Sequence, residues 1–462
     1  MPPPIRRPSP LFLLMLAPLA GCAGLGRAVH VPVNLISHEL CSTAFISEVD
    51  PERFYDEELA PQVAPIAALL RHHVDYDART ASASLAGRAE SRAIYHDGLG
   101  CIVDQGVTPP PVPALAPEPP AGPPLLEAGA AVAEPADPAL KAALDQAFAE
   151  PPKGPRRNTH AVVVVKDGRV IAERYAPGYG VMTRLHGWSM TKSATNALLG
   201  ILVREGRLEM DAPAPVAAWS APGDPRGKIT PDDLLRMRSG LALGQSLTAS
   251  WTSAFDEAAQ SLFATPDQAA RAEAARLQAA PGTRWRYADG STAILARIVT
   301  DKAGGPAAVQ AFARRELFDK LGMGPVVLET DATGAPFGST HVWASARDWA
   351  RLGLLFANDG VVNGERILPE GWVDYSARLT PGSEAYGYGA GFWTERGAPR
   401  AHTFRPHLPA DAFMARGSRG QYVVIVPSRR LVVVRMGEAY TPREDMGAVD
   451  RLVGEVIAAT GG

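Results

Sequence analysis

A chain of 462 residues, 46% apolar and 21% charged, has ample material for a hydrophobic core in one to three domains. Its net charge of −3 provides no basic field for a nucleic-acid partner. Past the first 21 residues, no apolar run is long enough to cross a bilayer.

Residues 1–21 read as an address. Arg6 and Arg7 supply positive charge, Leu11–Leu16 is an apolar run too short to span, and Leu19-Ala20-Gly21 places small residues before Cys22. This order resembles a bacterial lipoprotein signal and predicts Cys22 as the lipid-bearing first residue of the mature chain. The alternative is a free cysteine within an ordinary signal or anchor. Ala23, Gly24 and Leu25 include no Asp of the kind that, by resemblance to bacterial lipoproteins, retains a protein at the inner membrane. The expected location is the periplasm-facing cell envelope, with the outer membrane favoured and the lipid as sole membrane attachment.

Cys41 and Cys101 then remain. In an exported chain they read as one disulfide stapling a small module over 22–105, against the alternative of two reduced core cysteines. Neither shows the paired Cys/His spacing of a zinc site, and His72-His73 reads as surface, so no metal is expected. Over 106–137 the prolines Pro109–Pro111, Pro113, Pro117, Pro119-Pro120 and Pro123-Pro124 exclude a helix or sheet interior and predict an extended linker.

The main domain, 138–462, opens with a short helix near Ala139–Phe148. Ala161–Val165 and Val170–Tyr175 flank Asp167-Gly168, a strong two-residue hairpin signal. Near the other end, Gln421–Val426 and Leu431–Arg435 flank Pro427–Arg430, followed by a helix near Met446–Thr460. Hairpins at both ends with helical patterns between them predict an α+β fold, an antiparallel sheet built from both termini with a helical region inserted.

Within that region His186–Asn196 places a nucleophile at the head of an apolar helix. Leu198, Leu199, Ile201, Leu202 and Val203 recur at helical spacing up to Glu205-Gly206. Ser189 falls near the helix N-terminus, where unpaired N–H groups and the dipole favour an anionic oxygen. Lys192 is one turn away on the same face, and a lysine held neutral by its surroundings can serve as the base a serine needs. Of the seven lysines, only this one has a serine three residues before it. The bland alternative is a capping serine and a solvated lysine.

Three further stretches carry candidate chemistry. Pro281-Gly282 leads to Tyr287-Ala288-Asp289, which reads as a loop. Ala415-Arg416-Gly417-Ser418, with Gly420-Gln421, is a glycine-rich approach to the last hairpin, where a substrate can lie along a strand edge. Tyr386–Trp393 contains Tyr388 in an aromatic and glycine run that reads equally as a pocket wall or a twisted core strand.

Taken in order, Glu173–Pro177, Trp188–Lys192, Ile229–Leu241, Pro281–Tyr287, Ala346–Gly353 and Gly417–Gln421 resemble the serine β-lactamase and penicillin-binding superfamily over about 156–460. More narrowly they resemble the β-lactamase-related esterases and amide hydrolases that include 6-aminohexanoate-dimer hydrolase. The resemblance implies a β-lactamase-like fold with no cofactor. It implies Ser189 as acylated nucleophile, Lys192 as proton acceptor or shuttle, and Tyr287 as second base and donor to the leaving group. It places the oxyanion between the N–H groups of Ser189 and Ser418, with Gly417, Arg416, Asp289, Trp188 and Tyr388 as candidate substrate contacts. Lysine and tyrosine titrate near 10.4 and 10 when unperturbed, so whichever is the base is expected to be pulled down by proximity and desolvation.

Two departures bear on substrate. Where β-lactamases carry Tyr-x-Asn, the chain has Tyr287-Ala288-Asp289; where they carry Lys-Thr-Gly, it has Ala415-Arg416-Gly417. Both argue for a small-molecule or short-peptide ester or amide that is not a β-lactam. The rivals are a peptidoglycan DD-peptidase and, from another class, a non-catalytic envelope-binding lipoprotein. No Gly-x-Ser-x-Gly, His-Glu-x-x-His or phosphate-binding loop is present, and His186 reads as a supporting residue rather than a catalytic one.

Overall fold

A computed structural model describes residues 29–461, apart from 65, 114, 116–117, 120–121, 155, 246–253, 325, 398–404 and 440–441. The signal over 1–21 and the lipidation expected at Cys22 lie outside the described residues, as do Pro117 and Pro120.

The N-terminal part begins with helix α1 (29–42), which runs into a wider turn over Thr43–Ser47 and is followed by the short α2 (Pro51–Phe54). Strands β1 (Leu70–Asp75), β2 (Thr80–Leu85), β3 (Ala89–His96) and β4 (Gly100–Val103) form an antiparallel meander. The Cys41–Cys101 disulfide joins α1 to β4, with Cα atoms 6.0 Å apart. Ile36, Leu40, Leu59, Ala81 and Ala93 make this part's own core.

The segment after it is not a free spacer. Leu126 is buried in the main core, and Glu127 forms a bridge with Arg169. The carbonyls of Gly129 and Ala131 accept from the Arg347 guanidinium at 2.7 and 3.0 Å. Proline removes donors but leaves carbonyls, so a proline-rich strap can still dock through its acceptors.

Helix α3 (Pro138–Phe148), capped by Asp137, precedes β5 (Thr159–Lys166) and β6 (Arg169–Tyr175). Asp167 and Gly168 have φ of 53° and 79°, both left-handed, as a two-residue hairpin turn requires. After β7 (Leu185–His186) comes α4 (Thr191–Arg204). The inserted region holds α5 (Pro231–Leu235), α6 (Glu257–Phe263), α7 (Gln268–Glu273), α8 (Asp289–Ala303) and α9 (Pro306–Ala313). Strands β8 (Val327–Leu328) and β9 (Val342–Ala344) join β7 in a small sheet. Then follow α10 (Ala346–Ala357), the β10 (Val361–Val362) and β11 (Glu365–Arg366) hairpin, and α11 (Trp372–Ala377). Strands β12 (Trp393–Thr394), β13 (Phe413–Gly417), β14 (Gln421–Val426) and β15 (Leu431–Gly437), then α12 (Pro442–Ala459), complete the chain.

The main sheet is antiparallel in the order β12-β13-β14-β15-β5-β6, so strands from both ends of the domain meet at its centre as expected. Its valine runs do not alternate with polar residues because both faces are covered. Val162, Val164, Val424 and Val433 pack with Leu144 of α3 and Leu452 and Val456 of α12. Val163, Val165, Val423 and Val434 pack with Leu198 of α4 and Trp349 and Leu352 of α10.

The N-terminal part is docked on this domain rather than held off it. Val31 packs with Ala259, Leu262, Phe263 and Phe337. Ser42 Oγ and the Cys101 N–H both donate to Glu329 Oε1, at 2.9 and 2.8 Å. Among the described residues, no helix is long and apolar enough to cross a membrane.

Candidate active site

The nucleophile turn leaves β7 at His186 and reaches α4 through a 3₁₀ turn over Trp188–Met190. Trp188 has φ of 46°, a strained conformation for a bulky side chain, and it is held there by contacts. The indole is buried. Its Nε1 donates to Glu438 Oε1 at 3.4 Å, the Arg419 guanidinium lies 4.7 Å from its ring, and His186 stacks at 4.1 Å. Trp188, a candidate substrate contact, is therefore the anchor of the turn. A Cβ on Gly417 would sit 2.2 Å from the Gly187 carbonyl, so only glycine lets the end of β13 lie against the turn that carries Ser189.

Lys192 is almost completely buried at the first turn of α4. Its Nζ donates to Ser189 Oγ at 2.9 Å, Asp289 Oδ1 at 2.5 Å and the Ser339 carbonyl at 3.0 Å. Three acceptors match the three hydrogens of an ammonium. Burial pulls the Lys192 pKa down, but the Asp289 carboxylate and then Tyr287 outweigh it, so the value is raised. The lowering expected of whichever group is the base is therefore not found at Lys192. The physical reason is the acid at position 289, which puts a full negative charge in direct contact with the ammonium.

Asp289 opens α8, and Tyr287 lies in the loop just before it, as the Pro281-Gly282 signal implies. The Tyr287 ring centroid is 4.9 Å from Lys192 Nζ. Tyr388 meets that ring edge-on at 5.6 Å and Trp393 lies beside it at 5.5 Å. In the Tyr386–Trp393 stretch, Tyr388 makes an isolated bridge to Trp393 across a tight turn, and both rings lie against Tyr287. Tyr388 is itself buried, and its hydroxyl makes no hydrogen bond among the described residues.

Strand β12 pairs with β13 only at Phe413 and Met414, so among the described residues the Ala415–Gly417 edge extends past its neighbour. Arg416 projects from this stretch, its guanidinium 5.3 Å from the Trp393 ring and 5.7 Å from the Tyr422 ring. Ser418 follows, partly exposed, and its carbonyl accepts from Gln421 Nε2 at 3.3 Å. The structure thus gathers Ser189, Lys192, Asp289 and Tyr287 in one cluster, and sets Gly417 against its turn. Sequence reasoning missed Ser339, whose carbonyl completes the ammonium's acceptors, because no spacing rule links it to a lysine 147 positions earlier.

A serine bonded to a buried lysine at the head of a core helix, beside the last hairpin of a sheet built from both termini, is an arrangement of the β-lactamase type. Residues 144–457 match the Beta-lactamase family, and the chain belongs to it. It is 26% identical over 234 residues to the 6-aminohexanoate-dimer hydrolase of Paenarthrobacter ureafaciens, a match covering 47% of this chain and 56% of that protein. A Bacillus anthracis structure assigned as a 6-aminohexanoate-dimer hydrolase superposes with a TM-score of 0.56 at 23% identity, covering 74% of this chain and 88% of that one. A penicillin-binding protein homologue from Caulobacter crescentus superposes with a TM-score of 0.52 at 17% identity, covering 70% and 96%. These superpositions establish the fold, and the resemblance read from the motifs holds.

Proposed function

We propose that the protein cleaves an ester or amide other than a β-lactam through an acyl-enzyme on Ser189. Ser189 Oγ attacks the carbonyl carbon while Tyr287, reacting as its phenolate, takes the hydroxyl proton. The N–H groups of Ser189 and Ser418 hold the oxyanion, and Lys192 acts as a fixed cation beside Oγ. Collapse breaks the carbonyl–oxygen or carbonyl–nitrogen bond, and Tyr287 returns its proton to the leaving group. Water then attacks the acyl-enzyme, with Tyr287 again accepting a proton and Ser189 recovering its own. The observation that carries this division of labour is the Lys192–Asp289 contact of 2.5 Å beside the Ser189 contact of 2.9 Å, which keeps the lysine charged.

A fluorophosphonate probe followed by intact-mass measurement tests the reading. One adduct is expected on the wild type and none on Ser189→Ala, with turnover of a short p-nitrophenyl ester. Rapid turnover of a chromogenic cephalosporin would overturn the substrate class, and durable acylation by a penicillin would move the assignment to a DD-peptidase. No adduct and no turnover in folded protein would favour a binding lipoprotein. The lipid anchor at Cys22 belongs to the same proposal; it is tested by metabolic labelling with a fatty-acid analogue, which Cys22→Ala should abolish.

A further inference from the structure

Five buried ionisable side chains meet where α1 packs on the small β7–β9–β8 sheet. His38 and Glu39 come from α1, His186 from β7, Glu329 from just after β8 and His341 from just before β9. All are at least nine-tenths buried, and none has a part in the hydrolysis proposed above.

Glu39 is the hub of the cluster. Glu39 Oε2 is 3.4 Å from His186 Nδ1, and Glu39 Oε1 is 3.7 Å from His341 Nε2 and 3.8 Å from His38 Nδ1. Among the described residues, Glu39 Oε1, His38 Nδ1, His186 Nδ1 and His341 Nε2 have no hydrogen-bond partner. A buried polar atom left without one is costly, so four gathered in one cluster need an explanation. One ion among them supplies it. Donors about 2.0–2.1 Å from a tetrahedral zinc stand about 3.3–3.4 Å apart, against 3.4 Å from Glu39 to His186 and 3.7 Å from Glu39 to His341. The donor atoms of Glu39, His186 and His341 all lie within 4.8 Å of one another.

The far nitrogens of the three imidazoles are already engaged. His38 Nε2 is 3.0 Å from the Cys101 carbonyl, His186 Nε2 is 3.0 Å from the Thr340 carbonyl, and His341 Nδ1 is 2.5 Å from Thr340 Oγ1. An imidazole that donates from one nitrogen presents the lone pair of the other, the usual outer support of a metal-bound histidine. Glu329 is occupied differently. It accepts from Ser42 Oγ, the Cys101 N–H and Trp343 Nε1, and its Oε1 lies 3.8 Å from His38 Nε2 as a nearby counter-charge.

We propose that Glu39, His186 and His341 bind one divalent transition-metal ion, zinc fitting best, which clamps the N-terminal part onto the hydrolase domain. Glu39 comes from α1, His186 from the strand that leads to the nucleophile turn, and His341 from just before the strand that supports it.

The test uses full-length protein, unfolded and refolded in zinc chloride or in chelator, with bound metal counted by atomic emission and cobalt substituted for a visible spectrum. One zinc per chain should survive dialysis, cobalt protein should show the intense visible bands of tetrahedral coordination, and zinc should raise the melting temperature. Glu39→Gln and His341→Gln should each lose at least tenfold of the bound zinc, and His407→Gln should keep it. Wild type that refolds with zinc yet retains none, or cobalt protein with only weak octahedral bands, overturns the proposal. Folded Glu39→Gln that holds a full equivalent does so too. The wild-type stoichiometry and spectrum decide the matter even if both variants misfold, and neither depends on hydrolytic activity.

Discussion

Lys192 has three hydrogens to give, and three acceptors take them. Replacing Asp289 by Asn removes the charge that keeps the ammonium's pKa up while leaving an oxygen in place. Because a raised lysine pKa favours the charged form, losing Asp289 lowers it. If the charged lysine is the working form, the alkaline limb of kcat/KM moves to lower pH by at least one unit in Asp289→Asn; an unmoved limb would remove Lys192 from its assigned role. The same sign governs stability. The pair's contribution is fully present below the unfolded lysine pKa near 10.4 and is lost only as pH rises through the raised folded value, so Asp289 should not steepen unfolding between pH 6 and 9. Tyr287→Phe removes the proton carrier and leaves the ring. The expected result is a fall of about 10²–10⁴ in kcat with KM little changed, and with slowed but still Ser189-directed probe labelling. The Ser189–Lys192 pair was legible because an i, i+3 relation on a helix is a contact written into spacing. The lysine's charge state was not, because it depends on Asp289, 97 positions away, and on a Ser339 carbonyl that no pattern marks.

Elements place these residues, and at one point of the site two backbones lie together with no side chain between them. The end of β13 reaches the Gly187–Ser189 turn only because position 417 has no side chain. Gly417→Ala puts a Cβ 2.2 Å from the Gly187 oxygen, so the strand or the turn must move. The cost expected is about 1–3 kcal/mol by denaturant unfolding, with kcat/KM down at least a hundredfold because the Ser418 N–H retreats from the oxyanion. A variant that loses stability but keeps its kcat/KM would show that the hole is built elsewhere. At this scale the sequence was mostly readable. Asp167-Gly168 demands a turn with two left-handed residues, and the valine runs beside it demand burial. The proline segment reads as an extended linker, but composition reports what a strand cannot donate and is silent about what Arg347 can find to bond.

For the whole molecule, the question is why a domain of the Beta-lactamase family carries a second, disulfide-stapled part. Its docking rests on contacts such as Ser42 with Glu329 and Val31 with Phe263, which join positions more than 200 apart and leave no trace in local pattern. The disulfide closes a sequence separation of 60 residues and ties α1 to β4. On the loop-closure account, its removal costs about 2–5 kcal/mol. The consequence reaches the active site through one chain of contacts. Cys101 bonds Glu329 through its N–H and His38 through its carbonyl, α1 carries His38 and Glu39, and Glu39 faces His186 at the end of the strand that feeds the nucleophile turn. The Cys41→Ala/Cys101→Ala variant should therefore melt several degrees lower and lose ester hydrolysis faster on incubation near its transition, while its kcat at 25 °C stays close to that of the wild type. Calorimetry with and without reductant, read beside residual activity, separates the possibilities. Loss of the N-terminal melting transition with an unchanged inactivation rate would mean that the module is only lodged on the hydrolase, whereas coincident loss of both would make it a structural wall of the site.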